Sequence, residues 1–327
     1  MTDHILEVDL LAFERGGPGT RRTVVDGVLR SLACGFVYTS HDIPAEVLDT
    51  AYGGLATFFR LAPEVKQRFV VAGSNGQSGY TGLLVETAAA SDRPDWKEML
   101  NWSEPLPAGH PVRRRFPTWY PDRVLPEEVV PGITDVLGRF HRALADLQLR
   151  FLRIVAVGLG CHERYFDDLL IHGTNLSRAI RYPPMAEAPG GAPHVWAAAH
   201  ADIDLITALP RATAAGLQVL TVDGWVDAVP PPGSAIINTG IMLERLTNGA
   251  IPAGRHQVVA APGQPGERYS VVQFCQPAPF ALLAPLPTCV DGDRPVRYAP
   301  MAAGDLLERV LWEINLVEEG RRIPEPS

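Results

Sequence analysis

Apolar positions along this chain follow two periods, and the change between them falls near residue 175. Before that point the spacing is helical. "TVVDGVLRSLACG" sets Val24, Val28 and Leu32 on one stripe and stops at Gly35, which predicts a helix with a glycine end. "PAEVLDTAYGGLATFFRLAPEVKQRF" aligns Leu48, Tyr52, Leu55 and Phe59 and predicts a second. The longest pattern runs over 131–157, with Ile133, Leu137, Phe140, Leu144, Leu147, Phe151 and Ile154 recurring; its His141 reads as a packed helix residue. "ILEVDL" and "FVYTS" read as strands around the first helix. Residues 71–130 have no period and are rich in Gly, Pro and Ser. So long a stretch is expected to be partly ordered and partly functional.

From about 175 onward the runs are short, β-branched and separated by turn residues: "LSRAIRYPP", "VWAAAHADIDLITAL", "GLQVLTV", "GWVDAVPP", "GSAIINTG", "HQVVAAP" and "RYSVVQFCQP". That pattern predicts a β sandwich, jelly roll or barrel. Helical spacing returns over 300–318. The fold class is therefore mainly β with flanking helices.

Composition narrows the function. The chain has 327 residues, 46% of them hydrophobic, enough for a large core. A net charge of −8 argues against nucleic acid as a partner. Lys66 and Lys97 are the only lysines, and no basic run suggests a membrane surface. Cys34, Cys161, Cys275 and Cys289 are scattered in apolar surroundings and read as free thiols. No basic-then-apolar leader opens the sequence, and no apolar run approaches the ~20 residues of a membrane span. The expectation is a cytoplasmic protein acting on a small molecule, with no membrane, nucleic-acid or obligate protein partner.

The chemistry concentrates in "HVWAAAHADIDLITAL". On a strand His200 and Asp202 would share a face. The remaining histidine of the β region, His256, would complete a two-histidine, one-carboxylate set. Such a facial triad suits Fe(II) because it leaves positions open for substrate and dioxygen. Zn²⁺ also accepts this donor set, which keeps a hydrolase in view. In "RYS", alternation puts Arg268 and Ser270 on one face, a bidentate cation beside a hydroxyl. Tyr182 in "RYPP" is a third possible donor to a carboxylate.

In this order and spacing the chain resembles the Fe(II)/2-oxoglutarate-dependent dioxygenase superfamily, in its isopenicillin N synthase-like branch. "GFVYTSHDIP", "FFRLAPEVKQRF", "DWKEMLNW", "RYPP", "HADIDLITAL", "GWVDAVPPPGSAIINTGIMLERLTNG", "RHQVV" and "RYS" carry the likeness over most of the chain. The resemblance implies a distorted double-stranded β-helix, or jelly roll. It divides the chain into an N-terminal segment at 1–120, helical support at 121–172, the oxygenase β core at 173–285 and a C-terminal helix at 286–327. It also implies Fe(II) on His200, Asp202 and His256, and the far carboxylate of 2-oxoglutarate on Arg268, Ser270 and Tyr182, with O₂ as oxidant. The expected reaction couples oxidative decarboxylation of 2-oxoglutarate to hydroxylation, desaturation or cyclisation of a small metabolite. A 2-oxoglutarate-independent oxidase of the isopenicillin N synthase type is the alternative. Where the family often has glycine, this chain has Asp204, expected to alter the pocket mouth.

For the prime substrate, alternation from Tyr182 turns Ile180 and Arg178 inward. Arg178 would hold a substrate carboxylate, of amino-acid or natural-product type, unless an acid such as Asp204 pairs with it. Tyr80 and Phe274 complete the expected substrate residues. Trp96 and Trp102 read as packing.

Overall fold

The computed structural model describes residues 5–74, 76–87, 94–189, 194–260 and 266–313. Its strands are β1 Glu7–Val8, β2 Phe36–Ser40, β3 Gly79–Thr81, β4 Glu98–Ser103, β5 Leu176–Tyr182, β6 Ala197–His200, β7 Ile206–Leu209, β8 Leu217–Thr221, β9 Gly224–Asp227, β10 Ser234–Thr239, β11 His256–Val258 and β12 Arg268–Cys275. The helices are α1 Leu10–Arg15, α2 Pro18–Ser31, α3 Ala45–Phe59, α4 Pro63–Gln67, α5 Pro111–Arg115, α6 Ile133–Gly158, α7 Tyr165–Leu169, α8 Ile241–Leu246 and α9 Ala303–Glu313.

Eight strands form one sheet in the order β1-β2-β10-β7-β12-β5-β4-β3, and four form a second, β6-β11-β8-β9. Alternation gives the large sheet two apolar faces. Leu100, Trp102, Ala179, Val271 and Cys275 pack with the buried stripes of α2, α3 and α6. Phe36, Met99, Ile180, Leu209 and Ile236 face inward, against Val219 and Val258 of the small sheet. The two sheets enclose a chamber in a distorted jelly roll. The long helix is fixed to the sheet by polar contacts as well as by its stripe. Gln148 Nε2 donates to the carbonyls of Ile206 at 3.1 Å and Gln273 at 2.7 Å, and His141 Nδ1 meets Ser177 Oγ at 2.9 Å. His141 is a packed residue, as its spacing implies.

Local chemistry sets the element ends. Gly35 closes the first long helix at φ +78°, and a Cβ there would meet Gly254 Cα at 2.4 Å. Pro63 divides the second helix into α3 and α4, because proline cannot donate to the preceding turn. The strand expected in "ILEVDL" is only Glu7–Val8; Asp9 then caps α1 by accepting from the amides of Leu11 and Ala12. The apolar run around His200 is broken as well. It forms β6 in the small sheet and β7 in the large one, with the chain turning between them. His200 and Asp202 therefore meet across a turn and not along one strand.

Candidate active site

The chamber between the sheets has a volume of about 380 Å³. Three donors converge in it. His200 ends β6, Asp202 follows in the turn, and His256 opens β11 directly opposite His200 in register. Asp202 Oδ1 lies 3.7 Å from His200 Nε2 and 4.0 Å from His256 Nε2. The ligand-capable atoms of the three residues all fall within 4.8 Å of one another.

Neighbouring groups orient each donor. His200 Nδ1 sits 2.7 Å from the Ala198 carbonyl and His256 Nδ1 3.2 Å from that of Gly254. A carbonyl can only accept, so in the neutral ring Nδ1 carries the proton and the Nε2 lone pair faces the chamber. Asp202 Oδ2 accepts from Thr207 Oγ1 at 2.6 Å and Asn238 Nδ2 at 2.8 Å, which leaves Oδ1 to the histidines. Burial pushes the Asp202 carboxyl up, but the facing His256 and His200 and these two hydrogen bonds outweigh it and hold it below the usual range. Burial and the neighbouring His200 charge lower His256 to about 4, against the pull of Asp202. A carboxylate beside two imidazoles whose Nε2 atoms face inward is a donor set that fits a divalent cation.

Along β12 and β5 the chamber-facing residues alternate: Arg268, Ser270, Val272 and Phe274 on one, Arg178, Ile180 and Tyr182 on the other. Arg268 is 2% exposed. Its Nε donates to the Ala214 carbonyl at 3.1 Å and Nη1 to Ser270 Oγ at 3.1 Å. The guanidinium lies 5.0 Å from the Tyr182 ring centroid, and that ring packs on Trp196. Among the described residues no acid pairs with Arg268. A buried cation without an anion, at a chamber wall, fits a carboxylate-bearing ligand.

Two expected substrate residues are elsewhere. Tyr80 pairs in register with Leu100, whose side faces the helices, and its hydroxyl donates to Glu98 Oε2 at 2.5 Å. Asp204 is fully buried behind Asp202, shares the Thr207 hydroxyl with it, and is absent from the chamber wall. Burial and the Asp202 charge push its carboxyl well up. It neither shapes the pocket mouth nor pairs with Arg178. The acid beside Arg178 is Glu86, at 3.3 Å from Nη1. Trp96 and Trp102 are buried and donate to the carbonyls of Pro184 and Leu137.

Several wall residues carry no signal in the sequence pattern. Glu86, Asp95 and Lys97 come from the stretch without a period, and Leu307 and Leu311 are contributed by α9. Asn238 did have a local signal, as a lone amide in the apolar strand "AIINT".

Known proteins give the arrangement a family. The sequence profile of the non-haem dioxygenase in morphine synthesis N-terminal family matches residues 8–128, and that of the 2OG-Fe(II) oxygenase superfamily matches 174–277. Leucoanthocyanidin dioxygenase 1 of Oryza sativa subsp. japonica is 30% identical over 331 residues, covering 95% of this chain and 82% of that protein. Mugineic-acid 3-dioxygenase of Hordeum vulgare is 26% identical, covering 92% and 82%. Among solved structures, a 2OG-Fe(II) oxygenase family protein from Caulobacter crescentus superposes with a TM-score of 0.82 at 31% identity, over 95% of this chain and 99% of the other. A full-length Neurospora crassa protein, solved in complex with alpha-KG, gives 0.82 at 25% identity, over 95% and 97%.

Proposed function

The chain belongs to the 2OG-Fe(II) oxygenase superfamily, and from that membership we propose which residues do the work and on what kind of molecule. It is a 2-oxoglutarate-dependent dioxygenase, an oxidoreductase that uses Fe(II), 2-oxoglutarate and O₂.

In our reading His200, Asp202 and His256 hold the iron. Arg268 and Ser270 bind the far carboxylate of 2-oxoglutarate, with Tyr182 packed against the guanidinium. When bound, iron with its cosubstrates supplies the oxidising power that couples decarboxylation of 2-oxoglutarate to oxidation of a C–H bond. The protein's part is positional. The Ala198 and Gly254 carbonyls keep both imidazoles in the tautomer with a free Nε2. Thr207 and Asn238 turn one carboxylate oxygen of Asp202 toward them. Arg268 sets the cosubstrate's direction, and the apolar walls exclude water from the reacting end. The prime substrate is a small metabolite undergoing hydroxylation, desaturation or ring closure. The range of relatives, whose names include a leucoanthocyanidin and a mugineic-acid dioxygenase, supports that class.

One observation carries this reading: three inward donors share a chamber with a buried arginine that has no acid among the described residues. The test is His256→Ala. We expect it to lose iron and succinate formation while far-UV circular dichroism stays unchanged. Full iron content and turnover in that variant would remove His256 from the ligand set.

A further inference from the structure

Part of the chamber wall is polar and charge-balanced. Glu86 Oε2 pairs with Lys97 Nζ at 2.5 Å, and Oε1 faces Arg178 Nη1 at 3.3 Å. Lys97 Nζ also meets Asp95 Oδ2 at 2.8 Å. Arg178 Nε donates to Asn101 Oδ1 at 2.7 Å and Nη2 to the Gly76 carbonyl at 3.1 Å. Two cations and two anions cancel, and all four side chains line the chamber.

The cluster is satisfied but not saturated. A guanidinium has five N–H groups, and among the described residues three are directed at Asn101, Glu86 and Gly76, so each Nη keeps one more. The Glu86 oxygens likewise keep lone pairs beyond those facing Lys97 and Arg178. Among the described residues a free donor and a free acceptor therefore stand side by side. A full negative charge brought to Arg178 would also approach Glu86 and Asp95. A full positive charge brought to Glu86 would also approach Lys97 and Arg178. Either ion meets a like charge in a buried setting, where repulsion is weakly screened. Gln77, Thr87 and Gln276 add neutral polar groups to the chamber wall, and Phe274, Leu307 and Leu311 add apolar ones. The Phe274 ring centroid lies 5.3 Å from the Arg178 guanidinium, and Leu307 and Leu311 of α9 line the same chamber. Glu86 and His200 line the same chamber, so the cluster and the donor triad share one cavity.

We propose that Arg178 and Glu86 form a donor–acceptor fork that selects an uncharged prime substrate bearing an acceptor beside an N–H, as on the edge of a lactam or cyclic imide, with its ring against Phe274, Leu307 and Leu311. The proposal deepens the oxygenase reading and rests on it for the chamber's being where the substrate reacts. It replaces the substrate carboxylate that Arg178 suggests in isolation, because Glu86 already supplies that anion. A lactam accepts from Arg178 and donates to Glu86 without adding net charge. A zwitterionic amino acid has the same sum, but each end brings a full charge to the cluster.

The test uses the full chain with 2-oxoglutarate and Zn(II), so that binding is read without turnover. Ligand-observed NMR compares four probes: 2-quinolone, N-methyl-2-quinolone, 2-naphthoate and tetrahydroisoquinoline-3-carboxylate. We expect 2-quinolone to bind most tightly and N-methylation to weaken it at least about tenfold, the scale of one hydrogen bond to a charged group. Glu86→Gln should weaken 2-quinolone by a similar factor and leave the N-methyl compound within about twofold, since that compound has no N–H to lose. Arg178→Met should weaken both. Preference for the naphthoate or the amino acid, equal binding of the two quinolones by the wild-type chain, or no binding of 2-quinolone would each overturn the fork. Succinate formation by the iron-loaded wild-type protein without any probe is measured separately. Its absence would sink the oxygenase reading and leave the binding result standing.

Discussion

A cluster of four charges stands on each face of the β4–β5 ladder, which itself supplies Glu98, Arg178 and Arg181. Toward the helices, Glu98 accepts from Lys66 Nζ at 2.6 Å and from Arg181 Nη1 at 2.7 Å, and Arg181 Nε reaches Glu267 at 2.7 Å. Toward the chamber stand Arg178, Lys97, Glu86 and Asp95. Both clusters hold two cations and two anions, and each contains one of the chain's two lysines. They differ at the centre: the Lys66–Glu98 pair is closed off from solvent and cavity alike, while Arg181 and Glu267 reach the outer surface at 18% and 27% side-chain exposure. Glu98 is fully buried and takes a third bond from the Tyr80 hydroxyl, and Lys66 Nζ also donates to the Phe59 carbonyl. The inner four line a cavity. Sealed charges fix one arrangement of strands and helices, whereas the same inventory opened to a chamber offers its spare donors and acceptors to a ligand. Charge count does not separate the two roles; what each group still has free does.

The comparison can be broken most forcefully on the sealed side. Glu98→Ala leaves Lys66 buried without its acid, while Arg181 keeps Glu267, and should cost about 3–5 kcal/mol of stability in urea unfolding. A loss below about 1 kcal/mol would mean that water already relaxes the cluster. On the open side, acid is the sharper tool. Burial pushes the Glu86 carboxyl up, but Lys97 and Arg178 overcome it and hold it at about 2, against an ordinary 4.5. A depressed carboxyl stabilises the fold fully above its unfolded value and loses that contribution as pH falls through the folded one. Roughly 3 kcal/mol should therefore disappear between about pH 4.5 and 2. Urea midpoints across that range should show a flatter slope for Glu86→Gln than for the wild-type chain.

Arg268 is the limiting case of an open charge, since it has no acid among the described residues. Arg268→Ala should weaken 2-oxoglutarate about 100-fold, close to 3 kcal/mol, with iron content little changed. Unaltered 2-oxoglutarate dependence would place the carboxylate clamp elsewhere. The smallest effect is expected one contact away from the donors. Asn238→Ala removes one of the two hydrogen bonds that orient Asp202 and should lower metal affinity about tenfold in a Co(II) titration. No change would leave Thr207 as the sole orienting group.

What the sequence disclosed follows from where a period exists. On β5 and β12 a strict alternation groups Arg178, Ile180 and Tyr182 on one face and Arg268 with Ser270 on another, the family resemblance turned both faces inward, and all five line the chamber. The long helix α6 was equally legible from its stripe. Tyr80 was not, because its face depends on its register with β4 and it lies in a segment with no pattern of its own. Asp204 misled for a related reason. It was singled out as a departure from the family's glycine, which says nothing of where its side chain points once the chain turns after Asp202. Glu86, Asp95 and Lys97 were hidden because their pairing joins side chains from loop and strand, which no local window records.

The placement of the two lysines has a practical consequence. Their side chains are 7% and 8% exposed, each nitrogen held by carboxylates in a separate cluster. An amine-acylating reagent can reach Lys66 only when the helix face of the sheet parts, and Lys97 only when the chamber admits it. Labelling rates at these two sites then act as two clocks, one timing the loosening of the scaffold and the other the breathing of the pocket. A molecule seated in the chamber should slow the second clock far more than the first.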